Sequence, residues 1–433
     1  MEARRVKDAL AAFLEAGTWH GSLEPANAIL AAHAEIANSS VYAAAVLGDE
    51  AGVCRFGALD PANATTKGGP RTCDALTYLC FSNYLRLDPE RSDAFVRAAK
   101  ALLDAGASAH TGFYDKGRQF ESAIYGAAGV AHHAELTRLL LEHGADPNDG
   151  ETPYHTPEGY DNAALHVLVE SGKLSADSLA TMLARKHDWH DSDGVRCLLE
   201  HGADPNRMTR WGRTALQQAV LRDNGVEIVE TLLDHGADPR PVAAMAARRG
   251  RGDLLDLLAS RGIPIELHGA DRLLAAAARN DTAAVQAIAE SDPGLVQLII
   301  ADGGRILTDF ARNGNTEGVR RLLDLGVDAS ARLEEDDVYW NLAKGSTALH
   351  AAAWLARADT VKLLIERGAP IDAKDAKGRT ALVFAVCACV DSYWTYRRSP
   401  ESVAALLGAG ASVDGVAYPC GYAEVDELLA RYS

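Results

Sequence analysis

The chain has none of the common catalytic signatures. It contains no G-x-S-x-G elbow, no P-loop, no H-E-x-x-H and no G-x-G-x-x-G. Gly303 and Gly304 come without the preceding strand that a phosphate loop needs. Cysteine is sparse, with seven in 433 residues and no CxxC pair. Cys387 and Cys389 are two apart in a helical stretch, so they point to different faces. Such usage fits a reducing compartment, with cysteine as a small core residue. No uninterrupted apolar run reaches about 18 residues, which excludes a transmembrane helix. Residues 1–8 carry no apolar run of the kind that makes a secretory signal. Positive charge is in deficit. The net charge of −17 repels phosphate backbones and argues against nucleic acid as a partner. A folded, cytoplasmic chain is expected, with no membrane, no nucleic acid, no metal and no cofactor.

Repetition is what the sequence does contain. Two apolar residues, two polar ones, then Gly-Ala-Asp occur at Leu140–Asp146, Leu198–Asp204 and Leu232–Asp238. Looser copies end at Gly106, Gly262, Gly326, Gly368 and Gly410. Physically, this is the last turn of an amphipathic helix, stopped by a glycine that takes the left-handed conformation. His143, His201 and His235 stand just before that glycine, where a positive group suits a helix C-terminus. Their recurrence makes them structural. The spacing is 34 residues from Gly202 to Gly236, 38 from Gly106 to Gly144, and 42 from Gly326 to Gly368. The period is about 33 with insertions, which suits a helix–turn–helix plus hairpin unit. A second phrase precedes the first: a turn glycine or serine, Thr, a small residue and Leu. It occurs as Gly212–Leu216, Ser346–His350 and Gly378–Leu382. The threonine is placed to cap the next helix, and alanines such as Ala351–Ala353 allow close stacking.

Together the two phrases resemble the ankyrin repeat, whose pattern is G-x-T-P-L-H, a short helix, then a second helix ending L-L-x-x-G-A-D. His133–Leu136 is similar to the start of that second helix. The resemblance covers residues 38–415, with degenerate units near 60–100 and 264–300. It implies an all-α solenoid of about 11–12 stacked repeats, closed by a helical N-terminal cap over 1–37 and a C-terminal cap over 416–433. The abundance of Ala, and of Arg over Lys, points to a bacterial source. The family's arrays are mostly binding scaffolds, so a protein or peptide partner in the concave groove is expected.

The departures from the repeat point to sites. Inserts run through His110–Glu121, Phe81–Ser92, Ser330–Gly345 and Asp391–Ser399. Their aromatic and basic residues make Tyr339, Trp340, Tyr393, Trp394, Tyr396 and Arg397 binding candidates. The acidic run Glu334–Asp337 and the basic cluster Arg248, Arg249 and Arg251 read as solvated. In the middle, Gly150–His155 opens a unit in consensus fashion, but Pro157 and Gly159 stop its inner helix early. A recess should result, faced by Tyr154, Trp189 and Trp211. His155 and His350 occupy the consensus histidine position, where the side chain bonds the hairpin. His155, Tyr160, His187, Asp188, His190 and Asp191 are also the residues an unconventional enzyme or small-molecule binder would use, because carboxylate-oriented imidazoles suit proton transfer. For Asp191 the competing reading is a helix cap.

Overall fold

The computed structural model describes residues 2–392 and 397–432. The chain separates into two compact units, one ending at Ala237 and the other beginning at Asp238. Each is a stack of antiparallel helix pairs. The first unit opens with the helix Glu2–Ala16 and the shorter Glu24–Ala32. Its pairs are Val41–Leu47 with Glu50–Leu59, Ala75–Cys80 with Ser92–Asp104, and Ala123–Tyr125, running on into a π turn, with Ala134–Glu142. Glu151–His155 with Ala163–Glu170, Ala176–Asp188 with Ser192–Glu200, and Ala215–Leu221 with Val226–Asp234 follow. The second unit pairs Val242–Arg248 with Gly252–Ser260, Ala270–Ala278 with Thr282–Ser291, and Gly303–Asn313 with Thr316–Asp324. Its last two pairs are Ala348–Trp354 with Ala358–Glu366 and Ala381–Val390 with Glu401–Gly408. With eleven pairs in all among the described residues, each unit is an α-solenoid of the kind the repeated phrases predict. A final helix, Ala423–Leu429, packs on the last pair.

The repeated phrase works as its composition implies. Leu140, Leu198 and Leu232 are fully buried. Gly144, Gly202 and Gly236 have φ of 93°, 90° and 82°, a region that only glycine enters freely. The next amide reaches back to close the helix, with Ala145, Ala203 and Ala237 N each 3.0 Å from the leucine carbonyl five residues earlier. His143, His201 and His235 each donate through Nδ1 to the carbonyl four residues back, at 2.8–2.9 Å. At the other end, Thr214 and Gln217 form a reciprocal cap. His350 accepts from Thr347 N at 3.1 Å and donates through Nε2 to Arg379 O of the next hairpin, also at 3.1 Å.

The insert after His110 forms a β-hairpin, with strands Gly112–Asp115 and Gln119–Ser122, a small addition to the all-α array. Several expectations need correction. An extra helix, Pro293–Ala301, occupies the place of a hairpin. Arg249 and Arg251 are buried, not solvated, because they lie where successive inter-helix turns pack. Cys54 is exposed, so cysteine does not serve the core throughout. The most consequential correction is one of register. Thr152-Pro153-Tyr154-His155 follows the consensus phrase apart from Tyr154 in place of leucine, yet the helix begins a turn earlier. Asp149 accepts from Thr152 N at 2.7 Å and Thr152 Oγ1 at 2.9 Å. Thr152 therefore stands where His350 stands in its own repeat, and His155 is carried one turn further along the helix.

Candidate functional site

The freed His155 lies between two carboxylates. Its Nε2 is 3.2 Å from Glu151 and its Nδ1 is 3.1 Å from Glu158. Its ring meets Tyr125 at 5.2 Å and Tyr154 at 4.7 Å. Gly129 makes this approach possible, since a Cβ there would sit 3.0 Å from the His155 Cβ. The helix stops at His155, as the Pro157 and Gly159 spacing predicts. The inner helix of the next repeat, Ala176–Asp188, is much longer, and its Arg185 reaches back. The Arg185 guanidinium lies 4.2 Å over the Tyr154 ring and donates to Glu158 at 2.8 Å. Burial pushes the Glu158 carboxyl up, but the His155 and Arg185 donors outweigh it and hold the group below its usual range.

The following hairpin completes the surface. Arg210 at its tip lies 5.1 Å over Tyr154 and 4.8 Å over Trp211. Trp211 and Tyr154 are 6.0 Å apart. Three successive repeats thus contribute Tyr154, Arg185, Arg210 and Trp211 to one stack, with Trp211 38% exposed. Tyr160, 52% exposed, stands 6.4 Å from the half-buried Trp189. The sequence reading named Tyr154, Trp189 and Trp211. It missed Glu151, Glu158, Arg185 and Arg210, because nothing local marks an arginine that reaches back across a repeat.

The histidine and aspartate grouping behaves differently. His187 is fully buried and donates through Nδ1 to Asn224 Oδ1 at 2.9 Å, while Asn224 Nδ2 returns a bond to the His187 carbonyl at 2.8 Å. Burial pulls its pKa down to about 3, so the ring is neutral. Asp188 is ringed by Arg185, Arg222 at 2.5 Å and Gln218 at 3.2 Å. Asp191 caps the outer helix through Gly194 N at 3.1 Å and accepts from Lys186 at 2.7 Å and Asn162 at 2.8 Å. His190 is half-buried at a left-handed φ of 54°. His187 and Asp191 therefore do structural work in the packing between repeats and do not face the Tyr154 surface as an acid–base pair.

In the second unit Trp340 is buried beneath Arg312, whose guanidinium lies 4.8 Å over its ring. It is a core residue, not an exposed binding residue. Tyr339 is half-buried and meets Trp340 edge-on at 4.7 Å. Asp337 of the acidic run pairs with Arg305 and Arg312, each at 3.2 Å. Arg397 is half-buried, and Tyr393, Trp394 and Tyr396 lie outside the described residues. Among the described residues no group of three or more His, Cys, Asp or Glu is arranged to hold a metal ion, and no helix is long and apolar enough to cross a membrane.

The family model for ankyrin repeats matches three times, over residues 158–243, 273–375 and 307–415, which is more than half of the chain. The chain belongs to the ankyrin-repeat family. Ankyrin arrays are protein-interaction scaffolds in general, and this one is a scaffold in that sense. It is 31% identical over 153 residues to the ankyrin repeat domain-containing protein SAT10 of Stachybotrys chartarum, a match covering 33% of this chain and 7% of the relative. It is 39% identical over 85 residues to serine/threonine-protein kinase 12 of Arabidopsis thaliana, covering 20% of this chain and 17% of the kinase. It is 40% identical over 103 residues to the E3 ubiquitin-protein ligase hecd-1 of Caenorhabditis elegans, covering 23% of this chain and 3% of the ligase. The matches thus span less than a fifth of each of these relatives. What they share with this chain is a repeat segment.

Proposed function

We propose that the ankyrin array is a cytoplasmic scaffold that seats a peptide segment of a protein partner in the concave groove of its first unit. The observation that carries this reading is the stack of Arg210, Tyr154 and Arg185 beside the exposed Trp211. Tryptophan, tyrosine and arginine are the residues on which interface energy concentrates, and here three repeats hold them together. Each cation–π contact is worth about 0.5–2 kcal/mol when shielded from water, so the stack is ordered before any partner arrives. A preordered surface spends less of its binding energy on immobilising side chains. Residues 1–37 and 416–433 serve as caps in this reading, and seven unpaired cysteines fit a reducing cytoplasm.

The test is selection of displayed random peptides on the purified full chain. Peptides with micromolar affinity, roughly −8 kcal/mol, are expected from the wild type. They should lose about tenfold or more on Trp211→Ala and Tyr154→Ala, as hot-spot truncations do. The melting temperature of Trp211→Ala should stay within a degree or so of wild type, because the residue is exposed. Selected peptides that bind both variants as well as wild type would overturn the reading.

A further inference from the structure

The β-hairpin of the first unit has two distinct faces. Phe113 pairs with Glu121 and Asp115 with Gln119, so these four side chains share one face. Tyr114 and Phe120, with rings 5.2 Å apart, take the other. Gln119 shows where the first face looks, because its Nε2 donates to Glu151 Oε1 at 2.7 Å on the short inner helix. Phe113 packs on Trp19 and Phe81, with centroids 5.2 and 5.3 Å away. Glu121 is thereby held between an aromatic wall and the helix Glu151–His155.

That position leaves a carboxylate without a counterpart. Glu121 is only 5% exposed, and its Oε2 has no hydrogen-bond partner among the described residues. Glu151, Asp115 and Asp149 add negative charge around it, and His155 opposes them. Burial, reinforced by these carboxylates, pushes the Glu121 carboxyl up to about 7. A buried carboxylate normally has a donor or a cation against it, because the unpaired group costs several kcal/mol or so. The aromatic wall beside it is already suited to a planar cation. Arg71 places its guanidinium 5.6 Å over Trp19 and 5.5 Å over Phe113.

We propose that Glu121, with Glu151 beside it, is the receptor for a cationic side chain of the bound peptide, an arginine or a lysine. The proposal rests on the groove reading and gives the partner its chemistry. Glu151, 3.2 Å from His155, is tied by Gln119 to the Glu121 face of the hairpin, and the Tyr154 ring lies 4.7 Å from the same histidine, so the carboxylates adjoin the Tyr154 stack. Guanidinium is the better fit, because it can bridge two carboxylates and lie flat on aromatic rings. A partner segment carrying basic residues also suits a chain of net charge −17.

The experiment uses n-propylguanidinium, n-butylammonium and the neutral n-propylurea as probes on the full chain, at about pH 8 where Glu121 is ionised. The ¹³C carboxyl signal of Glu121 and the ring signals of Tyr125 are followed by NMR. Ligands this small bind in the millimolar range at best, roughly 4 kcal/mol. The guanidinium should shift both signals saturably, the ammonium less and the urea not at all. Glu121→Gln should cost about tenfold or more, seen at Tyr125, and Glu151→Gln less. Trp211→Ala should leave probe binding intact. Absence of any saturable shift, equal shifts with the urea, or undiminished binding by Glu121→Gln would overturn the proposal. Peptides that need Trp211 but show no enrichment in arginine or lysine would also refute it, while leaving the groove reading standing. Cation binding at Glu121 with no peptide selected would support the cation site and refute the groove reading instead.

Discussion

Lys186 and Asp191 face each other across an inter-helix turn, the ammonium nitrogen 2.7 Å from carboxylate Oδ2, with the Lys186 side chain wholly closed to solvent. Burial pulls the lysine pKa down, and Asp191 partly offsets it. The pair also fixes the irregular turn of the preceding repeat, since Lys186 donates to Gly159 O at 2.9 Å and Asn162 donates to Asp191. Removing one partner leaves the other charge buried, which costs about 3–5 kcal/mol. Lys186→Met should lower stability in urea by about that much. The double variant Lys186→Met/Asp191→Asn should recover part of it, because asparagine can still cap the outer helix. A loss below about 1 kcal/mol in the single variant would show that the pair does not hold this junction.

His187 makes a pH prediction with a definite sign. Its folded pKa is about 3, against an ordinary 6.5 in the unfolded chain. Between those values the unfolded chain takes up a proton that the folded one refuses. The contribution of His187 to stability is therefore complete above about pH 6.5 and is lost as pH falls toward 3, at up to about 1.4 kcal/mol per pH unit. His187→Gln should flatten that part of the stability–pH curve. If the variant and wild type run parallel from about pH 6.5 to 4, His187 is not sealed in the core.

The solenoid was legible because each repeat states its own boundaries. The Leu-Leu pair, the left-handed glycine and the capping threonine are local devices, and local chemistry reads well from sequence. The site read less well because its chemistry is non-local. Thr152–His155 follows the consensus phrase except that Tyr154 replaces its leucine, yet Asp149 captures the helix start and turns His155 toward Glu151 and Glu158. His187 and Asp191 allowed a proton-transfer reading beside the helix-cap reading of Asp191, because polar residues at a turn look alike whether they face water or the adjoining repeat. Asn224, the partner that defines His187, lies 37 residues away. Glu121 carried a readable signal. The alternation of Phe113 and Asp115 opposite Gln119 and Glu121 is the period of a strand, which places all four on one face.

Trp340 should behave as core. It is buried under Arg312, which is itself closed to solvent and paired with Asp309 at 2.8 Å and Asp337 at 3.2 Å. Trp340→Ala removes a large buried ring and should cost about 3–5 kcal/mol. Tyr339→Ala, at a half-buried position, should cost clearly less. Chemical denaturation of the two variants side by side decides the matter. A stable Trp340→Ala would return this residue to the set of surface candidates.

Glu121 makes the opposite pH prediction to His187. Its folded pKa of about 7 lies above the ordinary 4.5, so the unfolded chain gives up the proton first. The favourable contribution of the protonated group is complete below about pH 4.5 and is lost as pH rises toward 7, leaving a buried, unpaired carboxylate above that. Glu121→Gln keeps the shape and removes the charge, so it should match wild type near pH 4.5 and exceed it at about pH 8. A glutamate with an ordinary structural partner would give the reverse, a variant weaker than wild type at alkaline pH. The same linkage governs ligand binding. A guanidinium seated on Glu121 favours the ionised form, so n-propylguanidinium should stabilise wild type more at about pH 8 than near pH 5, and should stabilise Glu121→Gln little at either. Denaturation curves at three pH values, with and without the probe, supply all these comparisons. A wild type whose advantage over Glu121→Gln grows with pH would mean that the carboxylate already has its partner within the chain.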